Sequence, residues 1–210
     1  MALRLAFRDL YLNSWRLVPV NAALGVVLVV AAFAALAVHA AVVLVVLAGP
    51  MAAALVHSSV VLVRSGDVAL ADALAGLRLH WRRGLGLGAA GAALLLAGIV
   101  AVRFYGGTAL GWPFAFLTIY VLVLLGIYQL VLWTLAIADP DRPLEAAARG
   151  AACLCVERLW ATLVLGLALT LVNVVGVAAA LMPFLTVTLA YSFLATAHYA
   201  LAGSTTKEAS

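Results

Sequence analysis

Few residues in this chain have the type and spacing that a reaction would need. Cys153 and Cys155 are the only cysteines, and they lack the two further ligands of a closed zinc site. His57 and His198 are the only side chains in the long apolar segments that titrate near neutral pH. Nucleotide-binding, dinucleotide-binding and serine-hydrolase motifs are missing. The sequence therefore argues against an enzyme and predicts neither catalytic residues, nor a cofactor, nor a metal.

Polar side chains inside the apolar segments are the next candidates for function. The set consists of Asn21, His57, Gln129, Asn173 and His198. Each could line a substrate path, but hydrogen bonds between helices, about 0.6 kcal/mol each on average, are the favoured interpretation. No Asp or Glu lies in these segments, whereas a proton or cation pathway usually contains an ionisable group despite an insertion cost of about 2.5–3.5 kcal/mol. A proton-coupled carrier or cation channel is therefore disfavoured.

Two small-residue features suggest how the segments are shaped. Gly49 and Pro50 interrupt the second segment and predict a helix kink, since proline removes one helical hydrogen bond. Such a kink marks a binding site in some transporters, but it more often serves packing. Glycines of the third segment, at 84, 88, 91 and 98, predict close contact with neighbouring helices.

These residues belong to a chain whose composition is that of an integral membrane protein. Of its 210 residues, 68% are hydrophobic and 10% are charged, against about 25% charged in soluble domains. A transmembrane helix needs about 20 apolar residues. Six segments meet that length, and we predict an all-α bundle of six spans in one domain over 1–203, followed by a disordered tail at 204–210. The predicted spans are 18–38, 40–63, 85–104, 113–137, 159–180 and 183–202.

Charge distribution predicts the orientation of the bundle. All the Lys and Arg residues except Arg103 fall on one side of a six-span arrangement. The positive-inside rule then places both termini in the cytoplasm of a bacterial cell, with the chain in the plasma membrane. Because the basic residues flank apolar segments, they face anionic lipid headgroups of the bilayer, and nucleic acid is not an expected partner.

Three short helices are predicted outside the spans, at 2–15, 68–83 and 144–158. In the second, Leu70, Leu74, Leu77 and Trp81 recur at helical spacing, and Arg78, Arg82 and Arg83 lie on or beside the opposite face. Such a helix would lie flat under the bilayer. With Glu145 and Arg149 of the third helix, these residues form a candidate docking surface for a partner. Anchoring to lipid alone is the favoured alternative.

An internal repeat relates the two cytoplasmic helices. A shift of 74 residues aligns 70–76 with 144–150, and Leu85 with Leu159. The order of span, cytoplasmic helix and span recurs as well. The sequence thus predicts a parallel repeat of two hairpins, with the first and last spans outside it.

The chain resembles the YesL-type bacterial integral membrane proteins, a family of unknown function. The resemblance rests on Leu12-Asn13-Ser14-Trp15, on 49–55, on Arg64-Ser65-Gly66-Asp67 and on 138–144, and it covers nearly the whole chain. It implies a membrane protein without established activity, of a kind often linked with carbohydrate ABC-transport systems. Glu145-Ala146-Ala147 with Gly150 is also similar to the coupling loop of ABC permeases, although the glycine comes one residue early.

Two functional hypotheses follow. One is a non-catalytic accessory protein whose cytoplasmic helices engage a membrane complex such as a carbohydrate uptake system. The other is a permease subunit that forms a solute path and is driven by a separate ATPase. A structural role in lipid organisation is a third.

Overall fold

The computed structural model describes the backbone of 1–37, 41–108, 110–178 and 182–208, with side chains for 1–26, 48–108, 110–175 and 188–202. All regular secondary structure in these residues is helical. The helices are α1 Ala2–Leu12, α2 Ser14–Ala37, α3 Ala41–Ser65, α4 Leu70–Gly106, α5 Trp112–Ala138, α6 Leu144–Glu157, α7 Leu159–Ala178 and α8 Met182–Glu208. The all-α prediction is confirmed for this part of the chain.

Among the described residues, α4 and α5 are long and apolar enough to cross a membrane, and α6 with α7 would add a third span if the two were counted together. The other predicted spans coincide with α2, α3 and α8 within a few residues, except that α8 extends to Glu208 and so includes most of the predicted tail. The predicted connection near His39 lies outside the described residues. The one predicted at Met182 and Pro183 is not seen there, because these two residues begin α8.

The largest difference from the sequence prediction concerns α4. The predicted cytoplasmic helix at 68–83 and the predicted span at 85–104 form one uninterrupted helix of 37 residues. No proline separates the two parts, and the glycine at the junction, Gly84, is buried against α3. At 1.5 Å per residue, α4 is about 55 Å long, which exceeds the ~30 Å hydrocarbon layer of a bilayer. The prediction of a separate helix at 68–83 was therefore wrong.

The contact between α3 and α4 is built from small residues. A Cβ atom added to Gly84 would lie 2.8 Å from the carbonyl oxygen of Gly49 and 3.0 Å from Cβ of Ala53. Pro50 lies inside α3 at the same level, within the continuous helix. Because only glycine allows the two backbones to come this close, Gly49 and Gly84 determine how α3 and α4 pack.

The three other glycines of α4 that were predicted to contact neighbouring helices have different surroundings. Gly98 receives the side chain of Leu122 from α5, and Gly88 lies close to Gly49. Gly91 has open space where a Cβ would be, so it is not a packing residue among the described neighbours.

The buried core is formed mainly by α3, α5 and α8. Leu55, Val131, Leu194, Ala195 and Ala200 are all fully buried there. The N-terminal helix α1 adds to this core: His198 Nε2 of α8 lies 2.8 Å from Asp9 Oδ2, and the Tyr191 hydroxyl donates to the Leu3 carbonyl at 3.1 Å. The predicted interfacial helix is thus attached to the bundle.

Five arginines lie at one end of the bundle, which we call the arginine-rich end: Arg16, Arg64, Arg83, Arg142 and Arg158. Arg64 and Arg158 line one cavity, and Arg83 donates to the Arg142 carbonyl at 2.8 Å. Arg16 pairs with Asp67 and donates to the Val68 carbonyl at 2.6 Å. The contacts of these arginines thus fall into three separate groups at this end.

The two copies of the predicted repeat begin in the same way but differ further along the chain. α4 and α6 begin at the aligned residues Leu70 and Leu144. After that the two copies diverge, because α4 continues through Gly84 whereas the aligned Arg158 separates α6 from α7 at a bend of 99°. Gly84 has α3 packed against it, and Arg158 caps α6 with its backbone N–H bonded to the Leu154 carbonyl.

Candidate functional site

The predicted apolar face of α4 is exposed. Leu70, Leu74 and Trp81 have 47%, 61% and 46% of their surface accessible, and Leu77 is half-buried. The buried side of the same helix segment consists of Ala73, Gly76, His80 and Gly84. Since these buried residues face α3, Leu70, Leu74 and Trp81 are left on the exposed side of α4.

This apolar face forms one wall of a groove. Leu70, Leu74 and Leu77 border an apolar groove of about 320 Å³ whose other walls come from α2 and α3. The residues across the groove are Pro19, Val20, Ala23, Met51 and Ala54. Sequence reasoning missed the groove because α2 is distant along the chain. It also missed Leu79, which is 63% exposed on the same segment of α4.

The three arginines predicted for this surface have different environments. Arg78 and Arg82 are exposed, and the Arg82 guanidinium lies 5.2 Å from the ring of Trp81. Arg83 is half-buried and donates to the carbonyls of Ala136 at 2.7 Å and Asp139 at 3.1 Å. Its guanidinium also reaches the Pro140 and Arg142 carbonyls.

Arg83 therefore has a structural role. The last carbonyls of a helix have no partner inside the helix, and a cation there also interacts favourably with the helix dipole. Arg83 satisfies these groups at the C-terminus of α5, and it holds the following loop. We remove it from the docking surface on that ground.

The second part of the predicted surface lies on α6. Glu145 and Arg149 are exposed and one helical turn apart, while Ala147, Ala151 and Leu154 are buried. The Tyr128 hydroxyl of α5 donates to the Ala148 carbonyl at 3.3 Å, which attaches α6 to the bundle.

The loop at 139–143 connects the two parts of the surface. Arg83 of α4 holds one side of this loop, and the guanidinium of Arg142 lies against Gly150 of α6. The exposed faces of α4 and α6 are thus fixed to the same loop. The candidate docking surface, called the docking surface below, consists of Leu70, Leu74, Leu77, Arg78, Trp81, Arg82, Glu145 and Arg149.

His57 has a partner that the sequence did not reveal. Its Nδ1 atom lies 3.2 Å from Nε2 of His80, and the ring centroids are 5.1 Å apart. His80 is 1% exposed, and Gly76 leaves room for the His57 ring. In the described part of the chain, no group of three or more His, Cys, Asp or Glu could hold a metal.

The remaining polar candidates are distributed over several helices. Asn173 of α7 donates to Ser192 of α8 at 2.8 Å, and His198 contacts Asp9. These two agree with the prediction of hydrogen bonds between helices. Asn21 is fully buried, and the Gln129 Oε1 atom is buried without a hydrogen-bond partner in the part of the chain that the structure describes.

A cavity of about 540 Å³ lies beside one of these polar groups, between α5 and α7. Asn173 borders it together with Gly126, Ile127, Gly166 and Thr170. His57 and Gln129 do not line it, so the structure does not bring the three polar residues of the predicted path together there.

No family model, curated protein or solved structure matches this chain. The resemblance to the YesL-type proteins stays a prediction.

Proposed function

We propose that this chain is a non-catalytic accessory protein of a bacterial plasma membrane, which binds another membrane complex through the docking surface. A carbohydrate uptake system is the proposed partner, in line with the YesL-type resemblance. The proposed arrangement has six spans, formed by α2, α3, α4, α5, α7 and α8, and both termini lie in the cytoplasm.

The spacing of arginines along α4 supports this topology. Arg83 and Arg103 lie in one continuous helix, 20 residues apart, which corresponds to about 30 Å. That distance equals the thickness of the hydrocarbon layer. An α4 that crosses the membrane between these two arginines leaves 70–82 on the cytoplasmic side and only a short segment on the other.

The observation that carries the proposal is the exposure of large apolar side chains beyond the proposed span. Leu70, Leu74 and Trp81 are exposed in the same segment as Arg78 and Arg82. Arginine in the centre of a bilayer costs about 2.5–3.5 kcal/mol, so this segment belongs at or outside the interface. An exposed apolar patch bordered by charge is typical of an interaction site.

The test is a comparison of two double variants by mild-detergent affinity purification from the native membrane. L74A/W81A removes the centre of the docking surface, and L167A/L171A removes two exposed leucines of α7 as the matched control. We expect the first variant to lose its co-purifying complex and the second to keep it. Equal recovery by both variants would contradict the proposal.

The cavity beside Asn173 favours a second candidate function, a permease subunit driven by a separate ATPase. Its volume of about 540 Å³ is within the range of small-molecule sites. Co-purification of an ABC ATPase without permease subunits would support this function. Recovery of a complete transporter would support the accessory role, and normal solute uptake in a deletion strain would contradict the permease.

A further inference from the structure

A cavity of about 850 Å³ lies at the arginine-rich end, between α1, α3, α7 and α8. It is separate from the docking surface and from the cavity beside Asn173. Two arginines border it from different helices, Arg64 at the end of α3 and Arg158 just before α7. None of the described residues that line it is acidic.

One acidic side chain near this cavity, that of Asp9, is engaged by other groups. Asp9 lies 2.8 Å from Nε2 of His198, which lines the cavity, and its other oxygen accepts from Arg8 Nε at 3.2 Å. The described lining therefore presents the basic side chains of Arg64 and Arg158 and no acidic one.

The remaining walls are mainly apolar. Leu3, Val63, Val164, Leu165 and Leu201 lie among the lining residues. A small water-soluble anion would leave these walls without a partner. An amphiphile with an anionic head and a hydrocarbon chain matches both kinds of surface, since pockets of this type combine apolar walls with a few polar groups that fix orientation.

The cavity is bounded by fixed contacts. Tyr199, which lines it, has its hydroxyl 2.5 Å from Oγ1 of Thr162 on α7, so α7 and α8 are joined there. The Asp9–His198 contact joins α1 to α8 on another side. These contacts hold three of the four helices that form the walls.

We propose that this cavity binds an anionic phospholipid, with Arg64 contacting the phosphate and the acyl chain lying along the apolar walls. The inference uses the membrane setting of the proposed function but does not depend on the docking surface. Basic pockets between helices on the cytoplasmic side are suited to such headgroups because the guanidinium ion forms two parallel hydrogen bonds with phosphate.

Binding is measured by native mass spectrometry of the purified full chain in detergent. Phosphatidylglycerol and phosphatidylcholine with identical acyl chains are the two lipid probes. We expect phosphatidylglycerol to bind more tightly, and Arg64→Gln to weaken that binding about fivefold, the effect of one basic residue near a headgroup. Arg64→Lys keeps the charge and should retain most of the affinity.

Arg103→Gln is the matched control, because it removes the same charge at the far end of α4. Ala161→Trp tests the apolar wall, since its side chain would occupy the cavity and displace the lipid. Equal affinity for the two lipids, or an equal loss in Arg64→Gln and Arg103→Gln, overturns the proposal. Glycerol 1-phosphate is the soluble probe. If it binds as tightly as phosphatidylglycerol does, the site belongs to a soluble phosphate ester and the lipid assignment is overturned.

Discussion

His57 Nδ1 and His80 Nε2 lie 3.2 Å apart and join α3 to α4 at a point where both helices carry small residues. One ring must donate and the other accept, so the two histidines act as a pair. His80 is almost completely buried, and a buried polar group that loses its partner costs about 1–3 kcal/mol.

We expect the two histidines to be coupled in a double-mutant cycle. His57→Ala and His80→Ala should each lower the free energy of unfolding, and the double variant should lose less than the sum of the two. Residues in direct contact typically show coupling energies of about 0.5–3 kcal/mol. The free energies of unfolding of the purified variants are measured in one detergent. Strictly additive changes in these free energies would argue against coupling of the two histidines.

The glycine contact between α3 and α4 predicts opposite effects at two nearby positions. Gly84→Ala places a Cβ 2.8 Å from the Gly49 carbonyl, so the helices must move apart, at a cost of about 1–3 kcal/mol. Gly86→Ala meets open space and should stabilise α4 by about 0.5–1 kcal/mol. Thermal unfolding midpoints should rank Gly86→Ala above the natural chain and Gly84→Ala below it. The reverse order would mean that the helices are not in contact at Gly84.

Arg83 and its neighbour Arg82 allow a matched comparison. Arg83→Gln removes charge-assisted bonds to carbonyls of 136–142, and hydrogen bonds to charged groups contribute about 1.5–3 kcal/mol. We expect a lower free energy of unfolding and faster protease cleavage in the loop at 139–143. Arg82→Gln alters an exposed side chain and should change stability by less than about 0.5 kcal/mol. Similar losses in both variants would show that charge, and not the contact with the loop, is responsible.

The two cysteines report on both burial and topology. Cys153 is exposed, whereas burial raises the pKa of the Cys155 thiol and so lowers its thiolate fraction at neutral pH. A membrane-impermeant maleimide should modify Cys153 faster than Cys155, and it should do so in inverted vesicles but not in intact cells. Gly107→Cys in a cysteine-free variant should show the opposite sidedness. Modification of Cys153 in intact cells would contradict the proposed cytoplasmic position of α6.

Helix boundaries could be predicted from the sequence where polar residues and proline separate apolar segments. The stretch at 139–143 correctly marked the gap between α5 and α6, and Leu144 was correctly placed at the start of a helix. At Arg82 and Arg83 the same reasoning failed. Charge indicates the depth at which a residue lies in a membrane, but it does not end a helix, so α4 continues where a boundary was predicted.

The contacts between residues of the site could not be predicted from the sequence. His80 was assigned to a cytoplasmic helix, and nothing in the local pattern showed that it would lie beside His57, 23 residues earlier. The carbonyl partners of Arg83 depend on the path of a loop more than 50 residues away. Gly76, one turn before His80, and Gly84, one turn after it, leave the space in which α3 approaches α4, but their spacing does not identify α3 as the neighbour.

The continuity of α4 also has a geometric consequence. A helix without a break between Leu70 and Gly106 keeps its two ends about 55 Å apart. The bend of 99° between α6 and α7, in contrast, gives those two helices different directions. If α4 crosses the membrane as proposed, a partner bound at Leu74 would contact the same continuous helix that carries Arg103 at its other end.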